Sequence, residues 1–125
     1  RIGNVAGADA ILGNGRAGMT LDQLEGGGTP QRSYIGPETL ARVIHRLCET
    51  ADVPEIINIA APGLVEMGDL LDKAGRAWAP RVPTGPVIEK VALDTELLEQ
   101  FYPFAAEECT AAGMVAQWRE GLIGT

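Results

Sequence analysis

The sequence is short of histidine, cysteine, aromatic rings and positive charge, and each shortage removes a class of function. One histidine in 125 residues leaves no second imidazole for a zinc site, which takes three or four ligands. The same scarcity argues against a Ser-His-Asp or Cys-His hydrolase, and nothing resembling a nucleophile elbow flanks His45. Two cysteines, Cys48 and Cys109, stand far apart and do not make a disulfide framework. They read as the thiols of a reduced, cytoplasmic protein. Lys and Arg number 10 against 17 Asp and Glu, for a net charge of -7. A protein that grips nucleic acid shows a basic face, and this one scatters its arginines in an acidic background. Nucleic acid and anionic membranes are therefore poor partners. No apolar run approaches the roughly 18 residues that a membrane helix needs.

What is present is a globular composition, 46% hydrophobic and 22% charged, sufficient for one domain or a piece of one. Residues 2–5 are a short β-prone opening. Residues 6–18, rich in Gly and Ala, read as loop with one helical turn. Residues 19–24 alternate apolar and polar, a half-buried strand pattern, and the triple glycine at 26–28 ends it. Residues 31–35 read as a second short strand, closed by Gly36. The clearest element is a helix over 37–51, where Leu40, Val43, Ile44, Leu47, Cys48 and Ala51 recur at helical spacing as one apolar stripe. Pro37 suits its first position. A buried strand is expected over 56–60 and a helix over 65–74, with Gly75 placed as its C-cap. The three prolines of 79–86 read as loop, 87–93 as strand, 94–101 as a short helix and 107–120 as the last helix. Strand followed by helix, twice over, points to α/β organisation.

Three groups of residues carry chemistry. Gly13-Asn14-Gly15-Arg16-Ala17-Gly18 fits the G-x-G-x-x-G of a pyrophosphate-binding turn. The strand that should precede it is weak and the helix that should follow is absent, so it reads as a plain Gly-rich loop. His45 and Cys48 stand three apart on the helix, but two ligands do not make a metal site. Cys48 on the apolar stripe reads as a small buried side chain and His45 as solvated. The arginines are more informative. Arg32 stands on the strand before the best helix, beside Tyr34, and Arg81 lies in the proline-rich stretch. A planar guanidinium binds two phosphate oxygens at once, unless a nearby carboxylate claims it first.

Four segments, in order, resemble the C-terminal part of the NAD-dependent epimerase/dehydratase family, the extended short-chain dehydrogenase/reductases. Arg1-Ile2-Gly3-Asn4-Val5-Ala6-Gly7 is similar to that family's R-x-x-N-V-x-G. Arg32-Ser33-Tyr34-Ile35 through Leu40-Ala41 is similar to its R-D-Y-I-H-V-D-D-L-A. Ile57-Asn58-Ile59-Ala60 with Leu70-Leu71 matches a strand–helix segment. Arg81 with Leu93-Asp94-Thr95 matches the R-R-P-G-D and A-D-x-S-K region. The resemblance spans nearly the whole chain and rests on joint order and spacing.

The resemblance implies the last strands of a Rossmann-like doubly wound fold plus a small α+β substrate lobe, occupying 1–125. The N-terminal NAD-binding part would be absent, in keeping with a chain that opens on Arg1. It implies NAD or NADP in the parent enzyme and none bound by this chain alone. It also implies a nucleotide sugar or related small polar molecule as substrate, with the missing half as partner. Asn4 would sit at the substrate cleft near the diphosphate. Arg32 and Arg81 would face the phosphates, and Tyr34 joins the substrate-binding set. The family's His is Gly36 here, and the second Arg of its R-R is Val82, which weakens the match to a diphosphate. Neither tyrosine has a Lys four residues on, since Tyr34 is followed by Glu38 and Tyr102 by Ala106. No catalytic residue is therefore expected in this chain, and hydride chemistry would belong to residues outside it. The alternative is a non-catalytic binding or interaction module of the same ancestry.

Overall fold

The computed structural model describes residues 1–13 and 18–123. The Gly-rich match at 13–18 thus lies largely outside the described residues. Seven short strands and four α-helices are present among the described residues, a mixed α/β arrangement. Strand β1 (Asn4–Val5) runs parallel to β4 (Tyr34–Ile35), and β2 (Met19–Asp22) runs parallel to β6 (Trp78–Arg81). Strand β3 (Gln31–Arg32) is central to a third sheet, antiparallel to β5 (Val65–Glu66) and parallel to β7 (Lys90–Val91). The helices are α1 (Pro37–Glu49), α2 (Met67–Lys73), α3 (Glu96–Glu99) and α4 (Ala111–Ile123). A 3₁₀ turn (Ala106–Cys109) leads into α4.

The strand expected over 31–35 serves two sheets, and Ser33 is where it divides. Ser33 is buried. Its carbonyl accepts the Asn4 N–H at 3.1 Å and its own N–H donates to the Val91 carbonyl at 3.2 Å. Its Oγ accepts the Leu93 N–H at 2.8 Å. One small hydroxyl residue thus ties β1, β4 and the β7 segment together, and every polar atom it buries has a partner, as burial requires.

Two apolar clusters form the core. One gathers Leu12, Tyr34, Leu70, Leu71, Met114 and Val115 where α2 and α4 meet the sheets. The other gathers Ile35, Val43, Ile59, Leu98 and Tyr102 beneath α1. Tyr34 is 2% exposed, and its hydroxyl donates to Asp9 at 2.6 Å. Asp9 in turn accepts the backbone N–H groups of Gly7, Ile11 and Leu12, and the Gly13 N–H closes one helical turn onto the Asp9 carbonyl at 3.0 Å. Gly7 has φ +96 and the Trp118 indole packs where its Cβ would be, so any side chain there meets both strain and a ring.

Several expectations are corrected. The 79–86 stretch read as loop begins as strand β6, because β6 has a single neighbour and Pro80 is tolerated on a strand with a free edge. Residues 56–60 make one isolated parallel bridge, Ile2 to Ile59, and Ile56 is 72% exposed. Ile59, Ala60 and Ala61 are buried, and Ile57 packs half-buried against the cluster beneath α1. The helix expected over 65–74 starts at Met67, since β3 recruits Val65–Glu66 as a strand. The strand expected over 87–93 shrinks to β7, and the helix over 107–120 is a 3₁₀ turn and then α4. Cys48 is exposed rather than buried. The core face of α1 runs through Thr39 and Val43, so Ile44 and Cys48 fall on its outer flank. No helix among the described residues is long and apolar enough to cross a membrane.

Candidate functional site

Arg32 and Arg81 share a cavity of about 320 Å³ between the β2–β6 pair and the β3–β7 pair. The topology explains the meeting. Arg32 ends β3, beside β7, and Arg81 ends β6, opposite Asp22 in the parallel register of β2. Leu21, Met67, Val87 and Ile88 form apolar walls. A second cleft of about 410 Å³, which includes Gln23, Glu25 and Val82, adjoins it through Val87.

The two arginines differ in what holds them. Arg32 Nη1 donates to three backbone carbonyls, those of Gln31 at 2.8 Å, Ile88 at 3.1 Å and Glu89 at 3.4 Å. No carboxylate among the described residues makes an ion pair with it. Neutral carbonyl acceptors orient a guanidinium without cancelling its charge. Arg81 donates Nε to Asp22 Oδ1 at 2.8 Å and Nη1 to Thr20 Oγ1 at 3.5 Å. The hydrogen bond to Asp22 raises the Arg81 pKa further.

The other two residues of the substrate-binding set lie elsewhere. Asn4 is exposed on β1 and is not in the cavity wall. Tyr34 is a core residue, and burial first, then the bond to Asp9, pushes its phenol far above the ordinary range. Asp22, which the sequence reading did not single out, is the addition. Its signal was hidden because the three-proline stretch masked β6, the strand that carries its partner.

A larger groove of about 550 Å³ runs beside Arg42, His45, Arg46 and Tyr102, and two of these side chains are already paired with carboxylates. Arg42 meets Glu108 at 2.9 Å and Glu38 at 3.8 Å, and His45 meets Glu49 at 3.1 Å. Arg46 donates to the Phe101 carbonyl at 3.1 Å and its guanidinium carbon lies 5.9 Å from the centre of the Tyr102 ring. Beneath them Glu108 is a buried carboxylate. Burial alone would raise its pKa, but donors from Ala105 N–H, Arg42, Tyr102 and Thr39 outweigh that and hold it at about 2. Glu108 also takes the Tyr102 hydroxyl at 2.8 Å. Both tyrosines are therefore committed to carboxylates and raised in pKa, by burial first, and neither suits a base. Among the described residues, no group of three or more His, Cys, Asp or Glu comes together to hold a metal.

No family model matches the sequence, and no curated protein matches it. Solved structures do. The chain superposes over its whole length on TunA, an NAD-dependent NDP-hexosamine 5,6-dehydratase involved in tunicamycin biosynthesis, with TM-score 0.65 at 15% identity. The fold is part of the fold of NAD-dependent epimerases and dehydratases. The Thermotoga maritima UDP-glucose 4-epimerase with UDP-glucose agrees over 98% of the chain, with TM-score 0.59 and 19% identity. The Thermus thermophilus UDP-glucose 4-epimerase in complex with NAD agrees over 95%, with TM-score 0.57 and 17% identity. The chain spans 45% of the length of each of these three. At such identities the likeness is one of fold.

Proposed function

We propose that this chain is the C-terminal, substrate-binding part of an NAD(P)-dependent epimerase/dehydratase-like oxidoreductase. Its substrate is a nucleotide sugar or a related small polar molecule. NAD, the Tyr-Lys pair and the hydride step belong to a further N-terminal part that this chain lacks. Neighbours of the same fold hold UDP-glucose and UDP-glucuronic acid, and the ordered sequence motifs run in the same direction. One observation carries the reading to a residue. Arg32 lines the cavity with its guanidinium fixed by carbonyls and unclaimed by any described carboxylate. A cation held in place but not neutralised is pre-organised for an anion. Arg81 borders the same space.

The chain alone should turn over no NAD. The deciding test is calorimetric titration of UDP-glucose into the native chain and into Arg32→Ala. The expected result is a loss of about tenfold or more in affinity, roughly 1.4 kcal/mol, with the melting temperature unchanged. Equal affinity in the two proteins would remove Arg32 from the substrate site, and NAD turnover by the chain alone would overturn the division of labour.

A further inference from the structure

Among the described residues, three side chains in the wall of the cavity carry charge: Arg32, Arg81 and Asp22. Asp22 and Arg81 are register partners across β2 and β6, and the 2.8 Å bond between them is therefore built into the strand pairing. Thr20, two residues back on the same strand, adds the second contact to the guanidinium. Residues two apart face the same side of a strand, so both contacts arrive from one face of β2. Arg81 is neutralised where it stands, and its charge is already spent on Asp22.

Arg32 is the remainder. Two guanidiniums against one carboxylate leave the cavity one net positive charge. A diphosphate spreads two negative charges. Here it would meet one free cation and the Asp22 carboxylate beside the other. Like charges set close together disfavour binding. A single oxyanion has no such conflict. The apolar walls formed by Leu21, Met67, Val87 and Ile88 suit a ring or other apolar portion attached to it.

Resting on the substrate-lobe reading, we infer that Asp22 sets the charge this cavity accepts. Its ligand is then a molecule carrying one negative charge, a carboxylate or a phosphodiester, joined to an apolar or ring-bearing portion. Asp22 acts as a specificity residue by holding Arg81 away from the anion.

The test is titration of three probes that share uridine: the methyl ester of uridine 5′-phosphate and uridine 5′-carboxylate, each singly charged, and UDP-glucose, doubly charged. In the native chain one singly charged probe should bind about tenfold tighter than UDP-glucose, and whichever of the two wins names the oxyanion. In Asp22→Asn, UDP-glucose should gain about tenfold while the singly charged probe moves by less than about threefold. Arg81→Gln, which leaves the Asp22 carboxylate unbalanced, should weaken all three and serves if Asp22→Asn fails to fold. If UDP-glucose binds tightest to the native chain and Arg32→Ala still weakens it, the inference falls and the substrate-lobe reading stands. If no probe binds, or none depends on Arg32, both fall.

Discussion

Arg42 and Arg32 pose the same residue type in opposite settings. Arg42 lies over Glu108, a buried carboxylate that also takes the Tyr102 and Thr39 hydroxyls and the Ala105 N–H. Gln117 closes the arrangement from α4, its Oε1 accepting the Thr39 N–H and its Nε2 donating to the Thr39 hydroxyl. Among the described residues no buried side-chain nitrogen or oxygen is left without a partner, and the network ties α1, the 3₁₀ turn and α4 together. Arg32 is held as firmly, but by carbonyls that leave its charge standing. The comparison teaches that a positioned arginine is structural where a carboxylate matches it and available to a ligand where only backbone does.

The largest effect that tests this contrast comes from Glu108. Glu108→Ala strands Arg42, Tyr102 and Thr39 at once and should cost about 3 kcal/mol of unfolding free energy, read from denaturant melts. A loss below about 1 kcal/mol would make the network ornamental. Next is Gly7→Ala, where φ +96 and the Trp118 ring together should cost about 2 kcal/mol. Acid comes third. The folded pKa of Glu108 is depressed to about 2 from the usual 4.5, so its stabilisation is present above 4.5 and drains as pH falls toward 2. Melting temperature should fall through that window, and Glu108→Gln should flatten the fall. The smallest effects belong to the cavity. Arg32→Ala and Asp22→Asn should each change stability by less than about 1 kcal/mol, since Arg32 loses mainly exposed hydrogen bonds and the Asp22–Arg81 ion pair is exposed and contributes little. A large destabilisation by either would turn the cavity into another structural knot and erase the contrast.

How much of this was legible in the sequence varied with the range of the cause. Helix α1 was readable because its signals are local: a proline at its first position and apolar residues at helical spacing. Which side of the stripe is buried was not, because Ile44 and Cys48 are exposed only for want of a neighbour above them. Strand β6 was misread because proline is a local veto that an edge position lifts. The strand over 56–60 was overread because four apolar residues around Asn58 do not say how many of them find a partner, and here one bridge forms. The motifs led to Arg32 and Arg81, and folding brings those two into one cavity. Tyr34 stands two residues beyond Arg32, a spacing that one continuous strand would place on the same face, but the chain passes from one sheet to another at Ser33 and Tyr34 lies in the core with its hydroxyl on Asp9. Asp22 was invisible for the same reason as β6: its meaning depends on a strand 59 residues later.

The measurement that bears most directly on the account sets the two arginines against each other. UDP-glucose is titrated into the native chain, Arg32→Ala and Arg42→Lys at a temperature where all three are folded. The account predicts that Arg32→Ala loses about tenfold or more in affinity while Arg42→Lys stays within about twofold of native. Loss of affinity in Arg42→Lys with Arg32→Ala unchanged would contradict it and move the site to the groove beneath α1.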